Sequence, residues 1–292
     1  MQLKWLEDFV ALAESRSFSR AAELRHVTHP AFGRRIKALE LWAGTALIDR
    51  GSLPLKLTAA GTSLLDNARQ MLGDLAHARD ELQSIAGRQA STVTLATGRT
   101  LARTLLADLL LRVKPLLAQG ELCVLTRSLT ETAQMLESGE ADFILIYHHA
   151  LLALRLNARQ YQHLTLAQDK LVPVMRANAY SLKSTAALPY LAYGEALALG
   201  RLVEDHLANN PHAPSLQRGI ECDSADTVLE YALKGLGVGW LPWSLVSGLC
   251  RAGQLMVLGD AHLEVRFEVR IYRAKRRLQP MAESLWQVWT QR

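Results

Sequence analysis

The sequence predicts an N-terminal all-α unit with a small β-wing, a long connecting helix, and a C-terminal α/β domain in two lobes. Three observations predict it. Short amphipathic stretches crowd into the first roughly forty residues. Apolar residues then step by four and three from Leu64 to Ile85. From Thr92 onward, strand-like and helix-like segments alternate. With 292 residues the chain exceeds what one hydrophobic core usually serves, so at least two globular units are expected. Apolar residues make up 49% and charged residues 21%, a balance that excludes a disordered chain.

Leu6, Phe9, Val10 and Ala13 recur at helical spacing, which gives a first helix from Leu3 to about Glu14. Ser19 is placed to cap a second helix carrying Ala21, Ala22 and Leu24, with Phe18 as an apolar staple before it. Thr28 is placed to cap a third, where Pro30 sits in the first turn and its missing N–H costs little. In this third helix Phe32, Ile36 and Leu39 share one face, while His29, Gly33, Arg34 and Lys37 occupy the opposite one. After Gly44, the stretches Ala46 to Asp49 and Leu55 to Leu57 flank Arg50-Gly51-Ser52-Leu53-Pro54, which reads as a β-wing. A helix-turn-helix followed by a wing is the local picture.

From Thr58 to about Ala86 runs a long helix in which Leu64, Ala68, Met71, Leu75, Ala78, Leu82 and Ile85 form a heptad seam. One isolated helix cannot bury such a stripe. A partner helix from a second subunit is expected to cover it, the other reading being that it packs within its own domain. Gly87-Arg88-Gln89-Ala90-Ser91 reads as a hinge. Beyond it come a strand at Thr92 to Thr97, a helix at Leu101 to Leu117, a strand at Leu122 to Thr126, a helix at Thr130 to Glu137 and a strand at Phe143 to Tyr147, which implies a parallel sheet flanked by helices. Further strands are expected at Lys170 to Met175, Tyr190 to Ala192, Gly219 to Cys222, Val238 to Leu241, Gln254 to Leu258 and Val265 to Tyr272, and helices at Ala225 to Leu236 and Met281 to Trp289. Two such segments suit two lobes with a ligand cleft between them.

The net charge of +5 and the pI near 9.2 point mildly to a polyanionic partner. The distribution says more: Arg16, Arg20, Arg25, Arg34, Arg35, Lys37, Arg50 and Lys56 are opposed only by Glu23, Glu40 and Asp49 in the same stretch. A second basic run holds Arg270, Arg273, Lys275, Arg276 and Arg277. Glu7 and Asp8 interrupt the place where an export signal needs an apolar run, and no stretch matches a membrane span, so a cytoplasmic protein without a membrane partner is expected. Cys123, Cys222 and Cys250 lack CxxC spacing and suggest neither a disulfide framework nor a zinc site.

Residues 3–61 closely resemble the signature of LysR-type transcriptional regulators. The matching run is Phe18-Ser19-Arg20-Ala21-Ala22-Glu23-Leu24, then Thr28 through Glu40, then Gly44, Leu47, Asp49-Arg50, Leu57-Thr58 and Gly61. Later segments, Glu140-Ala141-Asp142 and Ala232 to Pro242, match more loosely, and there is some likeness to the hypochlorite-responsive subgroup. The resemblance implies a winged helix-turn-helix at 1–61, a linker and dimerisation helix at 58–87, and a periplasmic-binding-protein-like effector domain at 88–292. Its first lobe would take about 92–163 and 268–292, its second about 164–267. It further implies double-stranded DNA, a second copy of the chain in a dimer or dimer of dimers, and a small effector as partners, no cofactor, and room for RNA polymerase. Where the family commonly has glutamine and serine, this chain has His29 and Gly33, so its operator code is expected to differ.

The residues expected to meet DNA are Ser19, Arg20, Thr28, His29, Pro30, Gly33, Arg34, Arg35, Lys37 and Arg50, with the third helix in the major groove. By analogy with the family, the effector site would draw on Thr97, Gly98, Arg99 and Thr100 after the first strand, Ser128 and Thr130 after the second, Tyr147 and His148 after the third, and Tyr193 and Ser224 in the second lobe. Hydroxyls and amides at helix starts suit a small anion. Thr100, Thr130 and Ser224 equally serve as plain helix caps. Oxidation is the rival signal, with Cys222 beside Asp223 the thiol of interest and a buried inert thiol its simpler reading.

No catalytic motif supports an enzyme: Gly235-Leu236-Gly237-Val238-Gly239 follows a helix and enters a strand, the wrong order for a dinucleotide site. His26 with His29, and His148 with His149, lack partners at metal-ligand spacing. A solute-binding module without a DNA role is the main alternative, and the first ninety or so residues argue against it.

Overall fold

In a computed structural model of the chain, every residue is described apart from 53, 86–91, 153, 155, 178, 180–186, 196 and 292. The expected hinge at 87–91 therefore lies outside the described residues. The chain divides into two compact units, Met1–Ala90 with Glu137–Glu140, and Ser91–Leu136 with Ala141–Arg292.

The N-terminal unit holds α1 (Leu3–Ser15), α2 (Phe18–Leu24), α3 (His29–Ala43), β1 (Ile48–Asp49), β2 (Lys56–Leu57) and α4 (Ala59–Ile85). Leu6, Phe9 and Leu12 of α1, Ala21 and Ala22 of α2, and Phe32, Ile36 and Leu39 of α3 form one buried core with Leu47, Ile48 and Ala68. Each large side chain among them contributes on the order of 2 kcal/mol. The cap of α2 is Ser17, whose hydroxyl accepts from Arg20 N; the expected cap Ser19 stands one turn position inside the helix and is exposed. Two interactions fix how the elements meet. The buried carboxylate of Asp8 accepts from Arg25 Nε at 2.9 Å and Arg35 Nη1 at 3.1 Å, joining α1 to the region around α2 and α3. Glu40 accepts from Leu47 N at 3.0 Å and Ile48 N at 3.3 Å, tying α3 to the antiparallel wing. Thr58 caps α4, accepting from Gly61 N at 3.0 Å, and a Cβ at Gly61 would collide with the Leu47 carbonyl.

The C-terminal unit begins with β3 (Thr92–Thr97), α5 (Arg99–Arg103), α6 (Leu105–Val113), β4 (Glu121–Thr126), α7 (Leu129–Ser138) and β5 (Phe143–His148). It continues with β6 (Tyr161–Arg176), β7 (Leu188–Tyr193), α8 (Ala198–Asn209), β8 (Leu216–Cys222), α9 (Ala225–Leu233), β9 (Gly239–Pro242), α10 (Trp243–Arg251), β10 (Leu255–Val257), β11 (Val265–Ala274) and α11 (Pro280–Thr290). The main sheet has the order β10-β6-β11-β5-β3-β4 with β9 also on β6. A separate parallel pair, β7-β8, is linked through the bridge between Tyr190 and Val238.

The parallel arrangement expected from the first three strands holds for β3, β4 and β5, and the later strands make the sheet as a whole mixed. β3 runs parallel to β4 and β5, but β11 is antiparallel to both β5 and β6. A chain that leaves the first lobe on β6 and returns on β11 must run those strands in opposite senses. Both lobes share these strands, and the pairing shifts register between Val269 and Arg270. The helix expected from Leu101 to Leu117 is broken at Thr104, whose hydroxyl donates to Thr100 O at 2.8 Å and bends the chain. The helix expected to reach Leu236 ends at Leu233, before Gly235 at φ 79°. Two helices went unpredicted, α8 and α10. The start of α10 is held from β6, where Asp169 accepts from Ser244 N at 3.2 Å and Ser244 Oγ at 2.6 Å, so no local cap announces it.

Candidate nucleic-acid interface and ligand cleft

The two sides of α3 differ completely in environment. Phe32, Ile36 and Leu39 are fully buried, while Thr28, His29, Pro30, Arg34 and Lys37 are exposed and Gly33 is half-buried. Thr28 takes the N-cap backbone conformation, yet its hydroxyl makes no capping bond. A Cβ at Gly33 would meet nothing within 4 Å, so the face is open there. His29 lies 6.0 Å from the Phe18 ring, which limits where the imidazole points. Ser19 and Arg20 are exposed on α2.

Not every expected cation is free. Arg25 bonds Asp8 and Glu7, Arg35 bonds Asp8, and Arg50 Nη2 bonds Glu40 Oε2 at 2.9 Å. Arg35 is thus first a structural residue, bound to a buried carboxylate on α1. Arg20, Arg34 and Lys37 enter no ion pair among the described residues, which leaves their charge to the solvent side.

On α4 the heptad residues separate into two groups. Ala68 is fully buried and Leu64 half-buried against the N-terminal core, while Met71 is 48% exposed, Leu75 51% and Leu82 67%. Ala78 is exposed, and the side chain of Ile85 lies outside the described residues. Packing within the domain accounts for the first turns of the stripe and leaves the rest open.

In the C-terminal unit a cavity of about 370 Å³ opens between the lobes. Its first-lobe wall includes Gly98, Arg99, Thr100, Arg127, Ser128 and Thr132, with Tyr147 at the end of β5. The second lobe supplies Tyr193, the chain entering α8 at Leu197, Ala198 and Leu199, and the start of α9 at Asp223, Ser224 and Ala225. Seven of the ten expected effector residues line it: Gly98, Arg99, Thr100, Ser128, Tyr147, Tyr193 and Ser224.

Three do not. Thr97 is wholly buried, its hydroxyl donating to Leu145 O at 2.7 Å, because that residue still belongs to the strand. Thr130 is exposed on α7 away from the lining. His148 follows Tyr147 on β5 and so points to the other sheet face, where burial and then the Arg270 charge push its pKa down. Arg127, Thr132, Leu197, Ala198 and Asp223 were missed. Thr130 and Thr100 are not the caps expected of them, since Ser128 caps α7 and Gly98 holds the N-cap position of α5. The Ser128 to Glu131 capping-box spacing was the available sign of the α7 start, and the apolar spacing of Leu199, Leu202 and Val203 that of α8.

Several lining groups already have partners. Ser128 and Glu131 cap α7 reciprocally, with Ser128 N donating to Glu131 Oε2 at 3.0 Å and Glu131 N donating to Ser128 Oγ at 3.3 Å. Ser224 caps α9 through Thr227 N at 3.2 Å. Tyr193 donates to Trp240 O at 2.7 Å. By contrast, the Thr132 hydroxyl is buried without a hydrogen-bond partner, and the buried Tyr147 hydroxyl has only the Thr100 side chain near it, outside good hydrogen-bond geometry. Burial raises the Tyr147 pKa far above its usual value, so the phenol stays protonated. Among the described residues, no cysteine or methionine lines the cavity. Cys222 lies buried, its thiol pKa pushed up by burial, then by Asp223 and Glu221, which disfavours the reactive thiolate.

An open basic helix face beside a wing, carried on the same chain as a two-lobed α/β domain with a cleft between its lobes, is the build of a DNA-binding regulator that senses a small molecule. The profile of the bacterial regulatory helix-turn-helix protein, lysR family, matches residues 3–62, and that of the LysR substrate binding domain matches residues 86–292. The chain belongs to the LysR family of transcriptional regulators. It is 29% identical to the HTH-type transcriptional regulator YjiE of Escherichia coli K12, covering 98% of this chain and 93% of that protein. The solved structure of Vibrio fischeri DarR in complex with DNA is 28% identical, with a TM-score of 0.60, covering 100% of this chain and 99% of that one. Full-length HypT from Salmonella typhimurium, described as a hypochlorite-specific LysR-type regulator, is 28% identical with a TM-score of 0.59, covering 99% and 97%. No helix among the described residues is long and apolar enough to cross a membrane.

Proposed function

We propose that this regulator binds operator DNA with α3 in the major groove and answers a small effector carrying an anionic group, bound between the lobes. His29, Pro30 and Arg34 reach base edges or adjacent phosphates, Gly33 lets the backbone approach closely, and Thr28, Lys37, Ser19 and Arg20 hold the phosphate backbone. Arg35 and Arg50 act mainly through Asp8 and Glu40, placing α3 and the wing. The observation that carries this reading is the division of α3 into a fully buried apolar side at Phe32, Ile36 and Leu39 and an exposed side that presents Arg34 and Lys37.

A second copy of the chain covers Met71, Leu75 and Leu82 of α4, since three large apolar side chains left open on one helix need a partner. The protein has no enzymatic role in this reading and works in the cytoplasm, changing DNA geometry and RNA polymerase access when the cleft fills. Oxidation of Cys222 is the less supported signal, given its burial and raised pKa. The test is a gel-shift titration of duplex from the chain's own promoter region at fixed salt. The wild-type chain is expected to bind and Arg34→Ala to bind more weakly; equal affinity removes Arg34 from the interface, and no shift by either chain refutes the operator reading.

A further inference from the structure

The cleft is lined by two cations, Arg99 and Arg127, and two carboxylates, Glu131 and Asp223. A site built for a plain anion would carry an excess of positive charge; this lining is balanced. Two of the four already have local partners. Arg127 Nη1 donates to Thr126 O at 2.8 Å, and one Glu131 oxygen is held by Ser128. Asp223, on the second lobe, is exposed and enters no ion pair among the described residues.

The hydrogen-bonding groups follow the same division. Of the helices with eight or more residues that start at the cleft, α7 and α9 are capped by their own side chains, whereas the N-cap of α8 is Leu197, whose side chain has no acceptor. The first N–H groups of α8 thus lie at the cleft with no side-chain cap. Deeper in the same cleft stand the hydroxyls of Thr132, fully buried, and Tyr147, 8% exposed, both without a well-formed hydrogen bond. The Thr132 hydroxyl is satisfied by something that enters the cleft, and the Tyr147 hydroxyl, near Thr100 without a well-formed bond to it, is open to the same group. The donors left open thus line one cavity, which gives an anionic group a place, and the exposed Asp223 carboxylate lines the same cavity.

We propose, resting on the effector reading of the cleft, that its ligand is a small zwitterion of the free α-amino acid class. The ligand carboxylate accepts hydrogen bonds from the Thr132 and Tyr147 hydroxyls and from the start of α8, and its ammonium group donates to Asp223. Because Asp223 comes from the second lobe and Thr132 and Tyr147 from the first, one zwitterion joins both lobes, which a group bound on one wall alone does not.

The test is calorimetric titration of the full chain with each of the twenty standard L-amino acids, followed by the 2-hydroxy acid counterpart of any that binds. An amino acid is expected to bind about tenfold tighter than its hydroxy counterpart in the wild-type chain, a gap that closes in Asp223→Asn, while Tyr147→Phe weakens both compounds. Equal binding of an amino acid and its hydroxy counterpart overturns the zwitterion and leaves the cleft as an anion site, and binding of none of the twenty amino acids overturns the zwitterion outright. Binding that neither Asp223→Asn, Tyr147→Phe nor Thr132→Val alters overturns the cleft itself.

Discussion

The outer face of α3 and the cleft between the lobes are both recognition surfaces, yet they are assembled in opposite ways. The α3 face comes from one helix, with Thr28 through Lys37 contiguous in the chain and sorted by helical period alone. The cleft draws Gly98, Thr132, Tyr147, Leu197 and Asp223 from five separate places in the sequence. A surface on one element is specified by local pattern and tolerates little change in the residues that hold that element. A surface gathered from loops is specified by the sheet that brings them together, and its own polar groups wait for a ligand.

The comparison is broken most forcefully by the residues that seat α3. Gly61→Ala places a Cβ against the Leu47 carbonyl, and Asp8→Ala removes the acceptor shared by Arg25 and Arg35. Each is expected to cost about 3 kcal/mol of N-terminal stability, read by denaturant unfolding, and to remove DNA binding with it. Retained stability in both would mean that α3 is not fixed by these contacts.

In the cleft the sign reverses. Tyr147→Phe and Thr132→Val delete hydroxyls that are buried without a well-formed hydrogen bond, so the ligand-free protein is expected to gain about 1 kcal/mol of stability while losing its response to effector. Thermal unfolding with and without ligand separates the two effects. A loss of stability in the ligand-free state would show that these hydroxyls are structural.

A second glycine sharpens the contrast within the N-terminal unit. Gly33 faces open space on α3, so Gly33→Ala is expected to add about 1 kcal/mol of helix stability while hindering close approach to DNA. Higher stability with unchanged DNA affinity would place the duplex elsewhere.

The smallest effect concerns acid. Glu283 is held below its ordinary value of 4.5, first by the Arg273 hydrogen bonds and also by Leu278 N–H, against the opposing effect of burial. A lowered folded pKa means that its contribution is complete above about pH 4.5 and is lost as pH falls through the lowered value. Glu283→Gln is expected to lower stability near neutrality and to flatten the acid loss below pH 4.5, as followed by circular dichroism. An unchanged acid limb would exclude this pair from the acid response.

How much was legible follows the same division. The three short helices, the wing, the long helix and most C-terminal strands could be read because apolar period and turn residues are local signals. The mixed sense of the sheet could not, since it depends on β6 and β11 carrying the chain out and back. Seven cleft residues were reached through their positions after strands, but His148 failed because strand alternation turns it to the face opposite Tyr147. Thr97 failed because it is still inside β3. Asp223 and Thr132 carry no motif at all; only the folded arrangement shows one unpaired and the other without a partner.

The most direct measurement compares wild-type and Arg34→Ala chains on the promoter duplex and on an unrelated duplex of equal length at the same salt. If α3 reads bases, Arg34→Ala lowers affinity for the promoter duplex by about 1–3 kcal/mol and narrows the preference between the two. Equal losses on both duplexes, or none on either, would contradict a base-reading role for the exposed side of α3.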